Sequence, residues 1–254
     1  MESNFDWFVY PAVVISGFIA GFINTLAGSG SLVTLPLLIF FGLPANIANG
    51  TNRVAIFLQN IVGTTNFRRE KVLDLRGAVM LAVPAVLGSI LGAQLAVNLN
   101  ESDMRRVIGV IMVVMLFVIL VQPEKWLKGE LTELDGWPDW KRLIIFFIIG
   151  VYGGFIQAGV GIFLLSGLVL VIGYDLVRAN AVKVVIVLLF TVFALIVFML
   201  NDQVNWMIGF VLALGNMFGA FVATKFAVKR GAVWVRRILI AVVAISAVNL
   251  LVFN

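Results

Sequence analysis

Histidine and cysteine are both absent from this chain of 254 residues, and charged side chains make up only 12% of it. Without cysteine there is no disulfide, no thiolate nucleophile and no cysteine-ligated metal. Without histidine the commonest metal ligand and the usual proton shuttle of enzymes are missing. We therefore expect a protein that is not an enzyme and that uses no metal and no other cofactor.

Apolar side chains, in contrast, are abundant and account for 62% of the residues. That fraction is enough for roughly eight spans, at ~20 residues for each crossing of a hydrocarbon core of ~30 Å. The net charge of +5 is therefore first a signal of loop topology, because Lys and Arg collect in cytoplasmic loops. We expect the lipid bilayer as a partner and no nucleic acid.

The charged residues divide the chain into two membrane repeats, at residues 1–121 and 143–254, joined by a hydrophilic cytoplasmic linker at 122–142. The predicted fold is an all-α integral membrane protein with about five hydrophobic segments in each repeat. Eight are full spans, at residues 8–26, 53–67, 77–99, 106–121, 143–159, 181–200, 206–226 and 235–253. Two are short broken or re-entrant helices, at 32–43 and 162–173, each about 18 Å long if helical.

The second half repeats small residues of the first half in the same order. Gly21-Phe22-Ile23-Asn24 matches Gly154-Phe155-Ile156-Gln157, and Ala27-Gly28-Ser29-Gly30 matches Ala158-Gly159-Val160-Gly161. Gly42 then matches Gly173, and Ala48-Asn49 matches Ala179-Asn180. Chance similarity between glycine-rich helices is the alternative, but the shared order and spacing favour an internal repeat.

Basic residues cluster in two loops and predict the orientation of the chain in the membrane. One cluster follows the third segment and the other follows the ninth: Arg68, Arg69, Lys71 and Arg76, then Lys225, Lys229, Arg230, Arg236 and Arg237. Both clusters face the cytoplasm if the short segments count as crossings, with the N-terminus outside and the linker inside. If the short segments dip and return, each half has four crossings and one basic cluster faces outward. We prefer five segments in each half, and this odd number inverts the second repeat, as in many secondary transporters.

The first half also carries motifs that resemble a known family. An N-terminal span leads into Gly28-Ser29-Gly30-Ser31, followed by Pro36, Gly42-Leu43-Pro44 and Ala48-Asn49-Gly50-Thr51-Asn52. A shorter version follows the mid-chain linker, so that the resemblance covers nearly the whole chain. The sequence is similar to the TauE/SafE family of bacterial membrane proteins. The resemblance implies export of sulfite, sulfoacetate or a related sulfur or organic anion across the bacterial inner membrane.

A small oxyanion needs N–H donors or a cation in a dry site, and exposed N-termini of broken helices supply such donors. We expect Asn49-Gly50-Thr51-Asn52 to precede a helix beginning near Arg53, and Asn180 to precede a matching helix at Lys183. Glycine turns and matched amides should face these two bases. The predicted substrate-binding residues are Asn24, Gly28, Ser29, Gly30, Asn49, Gly50, Thr51, Asn52, Arg53, Gln157, Gly159, Gly161, Asn180 and Lys183.

Each of these residue types also has a purely structural explanation. Arg53 and Lys183 can extend from helix ends to the membrane interface, with Asp175 and Arg178 close to Lys183 in sequence. The glycines can serve close packing of helices, and the asparagines can cap helices without touching a ligand.

The predicted function is a secondary transporter that exports sulfite or a related organosulfonate, held near the middle of the bilayer. No acidic residue lies deep in a predicted span, so uniport down the membrane potential fits at least as well as proton antiport, and the sequence leaves the direction of transport open. Alternatives are a permease for another small organic anion, a membrane enzyme acting on a lipid phosphate, an assembly subunit, and a carrier of cations or neutral metabolites. A homodimer is possible, because two-fold symmetric assemblies are the commonest oligomers.

Overall fold

The structure is a computed structural model that describes residues 9–120 and 136–227. These residues form helices joined by short turns. We number the helices α1 (Val9–Ala27), α2 (Ser31–Phe40), α3 (Ala45–Arg69), α4 (Leu75–Val97), α5 (Glu101–Leu120), α6 (Trp140–Phe155), α7 (Val160–Ser166, continued by a π-helical stretch, Gly167–Ile172), α8 (Leu176–Leu200) and α9 (Trp206–Ala227). The all-α prediction agrees with this architecture.

Four of the described helices, α1, α4, α8 and α9, are long and apolar enough to cross a membrane. Of the other predicted full spans, α3 and α5 carry too many polar or charged residues to qualify, and α6 has 16 residues. The predicted span at 235–253 lies outside the described residues, as does most of the linker. In the second half α6 begins at Trp140, because the Asp139 carboxylate caps it and accepts from the Arg142 N–H at 2.9 Å.

Both long central helices begin earlier than the sequence analysis expects, and this part of the prediction is wrong. α3 begins at Ala45, directly after Pro44, and α8 begins at Leu176, directly after Asp175. The Asp175 carboxylate accepts from the N–H groups of Val177 and Arg178 at 2.9 and 3.1 Å, which caps α8. Consequently the Asn49 to Arg53 and Asn180 to Lys183 segments lie inside helices, one to two turns beyond their N-termini.

Each short helix folds back along the helix before it, and in the second half a Cβ added at Gly167 would lie 3.5 Å from the Phe146 ring of α6. Leu38 at the end of α2 belongs to the same buried cluster as Val9 and Val13 of α1. In the second half the Tyr152 and Phe163 rings of α6 and α7 lie 5.2 Å apart. The α2 helix has ten residues, or about 15 Å, half the thickness of a hydrocarbon core. Each half therefore begins with a helical hairpin.

Helices of one half pack against helices of the other half. α4 of the first half packs along α6 of the second, and α9 of the second packs along α1 of the first. At Gly154 an added Cβ would lie 2.5 Å from the Cα of Ser89, and at Gly21 it would lie 2.6 Å from the Cα of Asn216. These two glycines occupy matched positions in the sequence, and their lack of a side chain permits the close approach.

The central helices α3 and α8 have 25 residues each and run antiparallel. The Thr51 hydroxyl, near the start of α3, accepts from the N–H of Asn205 just beyond α8 at 2.9 Å. At the other end, the Tyr174 hydroxyl before α8 donates to the Asp74 carboxylate after α3 at 2.5 Å. Phe226 of α9 packs against the buried cluster that contains Phe67 and Tyr174 at this end, so Lys225 lies at the same end as the basic α3–α4 turn.

Candidate functional site

The ammonium group of Lys183 is buried in the protein interior, where it binds the end of a helix from the other half. Lys183 is 2% exposed. Its Nζ donates to the carbonyl oxygens of Asn24 and Thr25, both at 3.0 Å, and to Asn180 Oδ1 at 2.7 Å. The two carbonyls belong to the last turn of α1, where the helix dipole is negative. All three ammonium hydrogens therefore have partners within the protein.

Arg53 makes the corresponding contact in the opposite direction. Its guanidinium is fully buried and donates from Nη1 to Gly153 O at 3.0 Å and from Nη2 to Gly154 O at 2.6 Å. These carbonyls end α6, and the Phe198 ring lies 4.5 Å from the guanidinium carbon. A base on the central helix of each half thus binds the C-terminal carbonyls of the broken helix of the other half.

Neither base has a carboxylate partner among residues 9–120 and 136–227. The ion pairs of this described part are Arg105–Glu101, Arg106–Asp103 and Arg142–Asp139, all on the surface. Within the described residues, the charge of these two buried cations is offset by carbonyl dipoles, the amides of Asn49 and Asn180, and an aromatic ring. Buried charge without a counter-ion favours an anion nearby, because desolvation of a lone charge is costly.

A small cavity lies beside Lys183, between the two broken helices, by which we mean α1 with α2 and α6 with α7, interrupted at Gly28 and Gly159. Its volume is about 10 Å³, room for about one water molecule. The lining residues are Asn24, Gly28, Ile56, Asn60, Gln157, Val160, Gly161, Lys183 and Val187. Five of them, Asn24, Gly28, Gln157, Gly161 and Lys183, were predicted as substrate-binding residues.

The two broken helices touch at the cavity through Gly28 and Gly161. The Gly161 N–H donates to Gly28 O at 3.1 Å, and an added Cβ on Gly161 would lie 2.8 Å from that oxygen. Gly28 has a φ of 74°, and its match Gly159 has a φ of 73°. Left-handed backbone of this kind favours glycine, so both breaks use the same local geometry.

The remaining predicted site residues lie outside the cavity lining. The Gly30 N–H donates to Asn24 Oδ1 at 3.4 Å, and Gly159 faces the Met115 side chain. Asn49 Nδ2 donates to Phe155 O at 2.9 Å. Three more predicted residues also contact other parts of the protein. Gly50 packs against the Gln203 backbone, the Thr51 hydroxyl accepts from the Asn205 N–H, and Asn180 Oδ1 accepts from Lys183.

Asn52 and Ser29 complete the predicted set. Asn52 accepts from the Thr34 hydroxyl at 2.7 Å and donates to the Ser31 hydroxyl at 3.1 Å, which joins α3 to α2. Ser29 is 2% exposed, and its hydroxyl is among the buried polar atoms without a partner in the described part of the chain. The polar stretch at the start of α3 therefore holds the short helix and the neighbouring loops in place.

Sequence reasoning did not include Asn60 and Thr191 in the site. Asn60 lines the cavity, and its Nδ2 donates to Ile56 O at 2.7 Å. The Thr191 hydroxyl accepts from Gln157 Nε2 at 2.6 Å and holds this amide beside the cavity. Both are uncharged polar residues within apolar helical segments, and this pattern is the signal that could have identified them.

A family model described as "Sulfite exporter TauE/SafE" matches residues 13–250 of the chain. The chain belongs to this family. Its relatives include the "Probable membrane transporter protein ORF9" of Sinorhizobium sp, 26% identical over 93% of this chain and 90% of the relative. The "Probable membrane transporter protein YfcA" of Escherichia coli (strain K12) is 28% identical over 92% of this chain and 86% of the relative. A further relative is the "Probable membrane transporter protein" of Haemophilus influenzae, 26% identical over 87% of this chain and 86% of the relative.

No solved structure matches the chain. The family and the names of its relatives assign the protein to the multi-pass membrane transporters, in agreement with the four apolar helices of spanning length. A transporter implies a small-molecule substrate and a lipid bilayer as partners. The resemblance identified from the glycine-rich motifs of the first half is confirmed.

Proposed function

We propose that this protein exports a small sulfur oxyanion, sulfite or a related organosulfonate, across the bacterial inner membrane. The observation that carries the proposal is the pair of buried bases, Arg53 and Lys183, without a carboxylate partner in the described part of the chain. Lys183 borders the cavity between the broken helices. A cation carrier needs the opposite arrangement, with a carboxylate facing the substrate.

We propose further that the two halves are inverted repeats. Three observations support this relation: the antiparallel course of α3 and α8, the equal φ of 96° at the matched Gly42 and Gly173, and the reciprocal contacts of Arg53 and Lys183. Inverted repeats place a substrate site at their interface near the middle of the membrane. The cavity beside Gly28 and Gly161 lies at such an interface.

Substrate entry requires a rearrangement around Lys183. The cavity holds about one water molecule, and the three ammonium hydrogens are bonded to Asn24, Thr25 and Asn180. An entering anion must therefore replace at least one of these three oxygens as partner of the ammonium, and two of the three are carbonyls of α1. Replacement of either α1 carbonyl loosens the contact of α8 with the end of α1, which links anion binding to movement of the first hairpin.

The distribution of basic residues supports an orientation with the α3–α4 turn in the cytoplasm and the N-terminus outside. Arg68, Arg69, Lys71 and Arg76 are exposed at this turn, and Lys225 lies at the same end of the helices. A negative interior then drives an anion outward by ~2.3 kcal/mol per charge per 100 mV. We propose uniport along this potential; a homodimer stays a prediction.

Flux measurements in proteoliposomes test the function. Vesicles are loaded with radiolabelled sulfite, and a potassium gradient with valinomycin makes the interior negative. We expect efflux that accelerates with the potential, falls at least tenfold in Lys183→Gln, and is unchanged in Lys225→Gln. The control removes the same charge from an exposed lysine. Sulfite flux that ignores the potential and follows a pH gradient would contradict uniport, and absence of sulfite flux would contradict the substrate.

A further inference from the structure

The side chain of Gln157 offers the cavity a hydrogen-bond acceptor. Gln157 is 2% exposed, lies two residues after the end of α6, and lines the cavity with Lys183. Its Nε2 donates to the Thr191 hydroxyl at 2.6 Å. Its Oε1 is buried and has no hydrogen-bond partner among the described residues.

A buried acceptor without a donor carries a desolvation penalty, and a ligand that donates a hydrogen bond to it removes this penalty. The first-half match of Gln157 is Asn24, and its Oδ1 is already occupied because it accepts from the Gly30 N–H. Gln157 is therefore the member of the matched pair whose acceptor remains available. A substrate that carries a hydrogen can donate a hydrogen bond to Gln157 Oε1. An anion without a hydrogen leaves this oxygen without a donor.

The charge on the cavity wall favours a monoanion over a dianion. Lys183 is the one charged residue among those that line the cavity. One ammonium group neutralises one negative charge, whereas a dianion would leave net charge in an apolar interior at a high desolvation cost. Arg53 lies outside the lining, and its guanidinium is bound to the carbonyls that end α6.

We propose that Gln157 selects the substrate by its protonation state: the site takes a monoanionic oxyanion that keeps one hydrogen, such as hydrogensulfite, in preference to an anion without hydrogen. The inference rests on the proposed function and specifies the form of the substrate. Lys183 meets the negative charge, and Gln157 Oε1 accepts from the remaining hydrogen. Thr191 acts as a positioning residue, because its hydroxyl fixes the Gln157 amide.

Chlorate is the matched probe for this test. It is a pyramidal monoanion with three oxygens, like hydrogensulfite, but it carries no hydrogen. Hydrogencarbonate and nitrate form a second pair, because both are planar monoanions and only the first has a hydrogen to donate. We expect the wild-type protein in proteoliposomes, in near-neutral buffer, to favour the hydrogen-bearing member of each pair by about tenfold, since an unsatisfied buried acceptor costs roughly that factor.

Two substitutions identify the residue responsible. Gln157→Met removes the acceptor and keeps the length of the side chain, and we expect the preference to fall to about twofold or less. Thr191→Val removes the positioning hydroxyl with little change of shape, and we expect a partial loss of the preference. Gln203→Met is the matched control, because Gln203 also has a buried Oε1 without a partner among the described residues. Its Nε2 donates to Val97 O at 3.0 Å, outside the cavity.

The outcomes separate this inference from the proposed function. Equal flux of chlorate and hydrogensulfite in the wild type overturns the inference, whichever variants fold. So does Gln157→Met if it slows both anions equally, since the amide would then act as a donor. If neither sulfite nor any other oxyanion moves in the wild type, the proposed function itself fails. An unchanged preference in Gln203→Met, together with its loss in Gln157→Met, supports the inference.

Discussion

Substitution of Gly161 by alanine tests the contact at which the two broken helices meet. The added methyl group would lie 2.8 Å from the oxygen and 2.9 Å from the carbonyl carbon of Gly28. Both are backbone atoms, so no side-chain rotation relieves the overlap. Overpacking of this kind costs up to about 3 kcal/mol, whereas alanine in place of helical glycine returns about 1 kcal/mol. The net expectation is a loss of about 2 kcal/mol.

Thermal unfolding of the detergent-solubilised protein, followed by circular dichroism, measures this loss. A chain of this length loses about 2–4 °C of Tm per kcal/mol, so we expect Tm of Gly161→Ala to fall by about 4–8 °C. Gly109→Ala is the matched control, because Gly109 lies in helix α5 and its added methyl group would meet nothing within 4 Å. We expect the control to keep or slightly raise Tm. Equal Tm values for the two variants would refute the close contact between Gly28 and Gly161.

Three further substitutions test other contacts of the fold by the same unfolding assay. Tyr174→Phe removes the 2.5 Å hydrogen bond to the Asp74 carboxylate and should cost about 1–3 kcal/mol, because this acceptor is charged; an unchanged Tm would contradict the contact. Asp175→Ala removes the cap of α8 and should cost about 1 kcal/mol, whereas Asp175→Asn should keep most of the stability. Arg53→Met leaves the carbonyls at the end of α6 without their donor and should cost at least about 3 kcal/mol, with partial rescue by Arg53→Lys; equal loss in both variants would argue against the carbonyl contacts.

Hydrophobic patterning predicted the helical elements well, because every span must be an apolar helix long enough to cross the hydrocarbon core. The ends of α1 and α9 and the C-terminal end of α8 lie within one residue of the predictions, and the two short helices occur where the sequence predicts them. The breaks were also predictable, since Gly28 and Gly159 adopt the left-handed backbone that favours glycine.

The start of α3 was mispredicted because local composition and tertiary contacts favour different structures. Asn49-Gly50-Thr51-Asn52 has the composition of a turn, yet the structure continues the helix through it. The side chains of Asn49, Thr51 and Asn52 find partners on α6, on the loop before α9 and on α2. Such partners lie up to 154 residues away in sequence, so neither propensity nor spacing could identify them.

The candidate site was predictable in its residues more than in its contacts. Asn24, Gln157 and Lys183 do line one cavity, as the matched repeats suggest. The bond from Lys183 to the end of α1 follows from the exchange of packing partners between the halves, and this exchange leaves no periodic signal in either half. The predicted site does not include Asn60 or Thr191, because a polar residue within a helix more often bonds to a neighbouring helix than to a ligand.

The most direct test of the central claim is calorimetric titration of sulfite into the purified protein, with Lys183→Gln and Lys225→Gln as a matched pair of charge deletions. The account predicts saturable binding in the wild type and in Lys225→Gln, and at least tenfold weaker binding in Lys183→Gln. Glutamine keeps an N–H donor for the carbonyls of α1 but removes the buried charge. Sulfite binding of equal strength in Lys183→Gln and the wild type would contradict the claim that this buried base holds the anion.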